Sequence, residues 1–63
     1  MLKEDVYTLR TIVNEYGVHD SVSGLIQALR EYADEMSDRG LKERAIQAAD
    51  MADVLQDING DSN

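Results

Sequence analysis

Leu2, Val6, Leu9, Val13 and Tyr16 recur at alternating spacings of four and three, with Ile12 beside them. That is the period of a helix with one apolar face, and it predicts a first helix over residues 2 to 16. Glu4 and Asp5 fall in its first turn, where the exposed N–H groups favour negative charge. Gly17 is placed to stop the helix, because glycine takes the left-handed conformation at no steric cost and Val18 can then fold back onto Val13. Asp20 or Ser21 is then the candidate cap of the next helix.

The second periodic stretch places Val22, Leu25, Ile26, Leu29, Tyr32, Ala33 and Met36 on one face, with Arg30, Glu31, Asp34 and Glu35 largely opposite. It predicts a helix over residues 21 to 38. Gly40 repeats the stop signal, and Leu41 follows Met36 at the same interval that separates Val18 from Val13. A third helix, residues 41 to 58, carries Leu41, Ala45, Ala48, Ala52 and Leu55 at helical spacing. Three alanines in that stripe let a neighbouring helix approach closely, which suits a tight antiparallel hairpin of helices 2 and 3. The expected fold is therefore all-α, a single three-helix domain over residues 1–63 that ends in a frayed polar tail, Asn59-Gly60-Asp61-Ser62-Asn63.

Helix 3 has more apolar surface than one neighbour can bury. Met51, Val54 and Ile58 form a second strip beside the main stripe, and Ile46 stands on the far side. Two arrangements are open. Either helix 1 lies across the strip and completes a three-helix monomer, or the strip meets another polypeptide, as a homodimer contact or a partner groove. Size favours the second, because a chain of 63 residues without cysteine sits near the lower limit for independent stability.

Charge narrows the partners. With 13 acidic against 6 basic side chains the net charge is −7, so direct binding of nucleic acid through a basic patch is not expected. Asp50, Asp53 and Asp57 share one side of helix 3, with Glu43 near them and Lys42 at the edge. Asp53 and Asp57 also lie toward the helix C-terminus, where the dipole opposes negative charge. This ridge is either a docking site for a basic protein surface or a solvated face that keeps a small protein in solution. It does not suit a DNA-recognition helix, which needs basic or amide side chains. Tyr7 points away from the stripe of helix 1 and is a candidate interface anchor.

Candidate chemistry changes the picture little. There is no cysteine, and the one histidine, His19, stands beside Asp20 without a nucleophile or a set of three or four metal ligands. The run from Asp57 to Ser62 alternates oxygen-bearing side chains like the start of a calcium loop, but Ser62 occupies the sixth position, where such loops need glycine. No catalytic activity, cofactor or metal is expected. No apolar run approaches the ~20 residues of a membrane span, and Met1-Leu2-Lys3-Glu4-Asp5 is too polar for a signal peptide. A cytoplasmic protein without membrane association is the expectation.

Residues 29 to 55 resemble one tetratricopeptide hairpin, through Leu29, Tyr32, Ala33 and Met36 on its first helix, Gly40 at the turn, and Ala45, Ile46, Ala49 and Ala52 on its second. The resemblance implies a helical hairpin used for protein binding. It departs at Asp57, where that repeat has a proline, and a lone repeat has no stacked neighbour to bury its core.

The functional expectation is a small acidic interaction module, an adaptor or inhibitor that occupies a surface of another protein. The alternative is an acidic mimic of nucleic acid, phage-encoded or acting against a host defence, that blocks the basic groove of a nucleic-acid-binding protein. The residues expected to carry binding are Tyr7, Ile46, Asp50, Met51, Asp53, Val54, Asp57 and Ile58.

Overall fold

The computed structural model describes residues 1–61, and Ser62 and Asn63, the end of the expected tail, lie outside the described residues. Among the described residues three helices follow one another: α1 Lys3–Tyr16, α2 Val18–Asp38 and α3 Lys42–Asp61. The order and number are those the periodicity predicts. The packing is not evenly shared among them.

α2 and α3 form the tight hairpin. Ile26, Ala33 and Met36 of α2 are buried against Ala48 and Ala52 of α3, and Ala52 is 0% exposed. Leu29, Ala45, Ala49 and Leu55 are half-buried around them. The small alanine side chains let the two backbones close on one another, and the larger Ile26 and Met36 fill the space that remains. The corner is a Schellman turn at Gly40, whose φ is 79°. The N–H of Leu41 donates to the carbonyl of Met36 at 2.8 Å, and that of Gly40 to Ser37 at 3.0 Å. Two carbonyls left over at the end of α2 are satisfied in this way, and the chain is turned back on itself.

The first corner works differently, which corrects the expectation that both helices end by one device. Gly17 alone separates α1 from α2, at φ 86° and ψ 168°. That pair of angles is almost closed to residues with a Cβ. The N–H of Gly17 donates to Val13 at 2.8 Å, and its carbonyl accepts from the N–H of Ser21 at 3.1 Å, so one residue ends one helix and begins the next. α2 consequently starts three residues before the predicted position. Asp20 and Ser21 lie within its first turn, and neither caps it. The Ser21 hydroxyl donates to the Gly17 carbonyl at 2.6 Å. Val18 is 69% exposed and does not fold back onto Val13 as expected.

α1 buries none of its residues. It touches α2 near the corner, and among the described residues no Cα of α1 comes within 8 Å of one in α3. The three-helix arrangement in which helix 1 covers the second strip of helix 3 is therefore absent, because a one-residue connection does not let α1 reverse over the hairpin. The molecule is a thin slab of 36 × 31 × 13 Å with a radius of gyration of 13.0 Å. A compact chain of this length has a radius of about 11 Å.

At the other end α3 runs to Asp61, beyond the predicted stop near Ile58. Asn59, expected in a polar tail, is helical and buried. Its side-chain N–H groups donate to the His19 carbonyl at 3.2 Å and to the Ser23 hydroxyl at 3.1 Å, tying the end of α3 to the beginning of α2.

Candidate functional site

One contact and one groove orient the hairpin and divide its surface. Arg30 of α2 donates to a carboxylate oxygen of Asp53 on α3 at 3.1 Å, which marks one face. Because α-helical residues advance by about 100° each, Ser23, Gln27 and Asp34 share this side of α2 with Arg30, and Asp50, Asp57 and Ile46 share that side of α3 with Asp53. On the reverse face a shallow open groove is lined by Leu29 and Tyr32 of α2 and by Arg44, Gln47, Ala48 and Met51 of α3. The same phase extends it through Leu25 on α2 and through Leu55 and Ile58 on α3. The hairpin is thus mainly polar on one face, Ile46 apart, and mainly apolar on the other, Arg44 and Gln47 apart.

The expected binding residues separate accordingly. Asp50, Asp53 and Asp57 are exposed together on the polar face, as the ridge pattern requires, and Ile46 lies among them, 59% exposed. Asp53 is the one of the three that an arginine engages, and because both side chains of this pair are largely exposed the contact contributes little to stability. Met51 and Ile58 belong to the apolar face. Val54 stands on the outer edge of α3 between the faces, so the Met51, Val54, Ile58 strip wraps from the groove around that edge. All three are at least half exposed, at 52%, 52% and 65%. Tyr7 is exposed on α1, and because α1 does not approach α3 the structure does not bring it together with the others.

Three features were not singled out from the sequence. Leu25 and Tyr32, which periodicity assigns to the buried face of α2, are exposed on the rim of the groove. The apolar stripe of α1, from Leu2 to Tyr16, is open to solvent along its length. Asn59 links the two ends of the hairpin. It continues the helical spacing of Ala52 and Leu55 on the packed side of α3, and that register was the available signal.

His19 lies at the corner with its Nδ1 3.7 Å from an Asp20 oxygen, both side chains being substantially exposed. Among the described residues no group of three or more His, Asp or Glu side chains is placed to hold a metal ion. Nor is any described helix long and apolar enough to cross a membrane. Comparison of the chain with protein-family models, with curated proteins and with solved structures finds no match in any of the three.

Proposed function

We propose that the chain is a non-enzymatic protein-interaction module, an adaptor or inhibitor that acts in the cytoplasm by occupying a surface of another protein. The observation that carries this reading is the amount of surface left open. The chain exposes 5282 Å², whereas a closed monomer of its mass exposes about 4,000 Å². The excess lies on an unpacked helix and a two-faced hairpin, and extensive apolar exposure of this kind is characteristic of proteins that bind others.

The polar face defines the chemistry of the partner. Asp50 and Asp57 are exposed beside Asp53 and present negative charge on one side of α3, so the complementary surface is basic. The test is affinity capture from the native host with the unaltered chain and with a variant carrying Asp50→Lys, Asp53→Lys and Asp57→Lys. Loss of a basic protein from the variant's eluate supports the ridge as the docking face. Retention of the same partners refutes it.

The nucleic-acid mimic is the second reading. It draws support from the exposure of carboxylates at helical spacing along α3, and Arg30 works against it by engaging the middle one. Binding by such a mimic falls steeply between low and moderate salt and is displaced by added nucleic acid, and the displacement separates it from a basic partner docked on the same ridge.

A further inference from the structure

The apolar side of the molecule needs an occupant, and we infer that it is a second copy of this chain, in a two-fold dimer where α1 of each protomer lies across the apolar hairpin face of its partner. The inference rests on the interaction role proposed above and names the occupant of one of the two faces.

The chain carries both halves of the contact. α1 is an amphipathic helix of 14 residues whose stripe, centred on Leu9, has no cover. It is about 21 Å long. The reverse face of the hairpin is a groove between two helices, lined by Leu29, Tyr32 and Met51, and helical phase continues it through Leu25 and Ile58, both exposed. An amphipathic helix laid in an apolar groove is a recurrent way for proteins to join. Within one chain this contact cannot form, because Gly17 is the whole connection and antiparallel helices need a loop of about two to five residues to reverse. A second copy supplies the same α1 from outside.

Area and charge point the same way. Each chain exposes about 1,300 Å² more than a closed monomer, so a dimer that removed the excess from both copies would bury about 2,600 Å², in the range of stable interfaces. With a net charge of −7 per copy, association through the polar faces would bring two sets of Asp50, Asp53 and Asp57 together. Association through the apolar faces leaves these ridges on the outside, where solvent and salt screen them, and places Arg44 near the contact. α1 on the partner's hairpin and the partner's α1 on this hairpin are the same contact made twice, so assembly closes at two copies.

Sedimentation equilibrium of the full chain at micromolar concentration tests the dimer. The expected mass is near twice 7.0 kDa. Leu9→Glu on α1 and Met51→Arg on the groove alter exposed positions, and each alone should reduce the mass to that of one chain. Mixed in equal amounts, the two variants should recover the doubled mass, because the mixed dimer has one unaltered contact and one in which Glu meets Arg. Gln27→Glu, on the polar face, should leave the mass unchanged. A wild-type mass of one chain at every concentration overturns the dimer while leaving the basic-partner reading to its own capture experiment. A Leu9→Glu chain that stays dimeric, or a mixture that does not recover, overturns the exchange of α1 between copies.

Discussion

Gly17 and Gly40 both hold positive φ at the end of a helix, yet the chain closes after one and opens after the other. After Gly40 the backbone reverses through a Schellman turn, and α3 returns along α2 with Ala48 and Ala52 buried against Ile26, Ala33 and Met36. After Gly17 the next residue already begins α2, and α1 projects from the corner with no residue buried. Both glycines end a helix through the same freedom from a Cβ. What differs is the length of the connection and whether the following helix offers small residues for a close return. A stop signal is a local property of the backbone, whereas the direction taken after it is decided by what the next segment can pack against.

The largest expected effect comes from removing the same kind of side chain on the two sides of this comparison. Ile26→Ala leaves a void in the hairpin core and should lower stability by about 2–4 kcal/mol in urea unfolding, at every protein concentration. Leu9→Ala, on the open helix, should lower only the part of the stability that rises with protein concentration. Equal, concentration-independent losses in the two variants would erase the distinction between the regions.

The corners themselves come next. Gly17→Ala forces a Cβ into backbone angles that are almost exclusive to glycine and should cost about 1–3 kcal/mol. Gly40→Ala, in the left-handed turn, should cost about 1–2 kcal/mol. Neither added Cβ meets a non-neighbouring atom within 4 Å, so a loss measured by chemical unfolding reports backbone strain rather than a steric clash. A neutral Gly17→Ala would mean that the angle between α1 and α2 is not imposed by this residue.

The smallest effect has the opposite sign and sharpens the contrast between glycines that are needed and one that is not. Gly24 lies inside α2 with nothing near its missing Cβ. Gly24→Ala should raise stability by about 0.5–1 kcal/mol through helix propensity, read as a higher urea midpoint with unchanged slope. A loss would show that the position is covered in the assembled protein.

Three helices, the approximate positions of their ends and the pairing of α2 with α3 were all legible in the residues. Apolar side chains at spacings of three and four, glycines after them and alanines along one stripe act within a few residues of themselves, and a pattern of that range can be read along the chain. The acidic ridge was legible for the same reason, since Asp50, Asp53 and Asp57 lie within two turns of one helix. Which of two apolar stripes remains open was not legible. The Leu2 to Tyr16 stripe of α1 reads as a core face, yet the single residue at Gly17 prevents α1 from folding back over the hairpin to α3. Asn59 looks polar and terminal, yet it is buried because His19 and Ser23 offer it acceptors from positions 40 and 36 residues away. By itself the sequence determined the helices and their faces, because those depend on short-range periodicity and backbone preference. The tertiary structure decided which faces meet, because that depends on how far a connection reaches and on which distant groups complete a hydrogen bond.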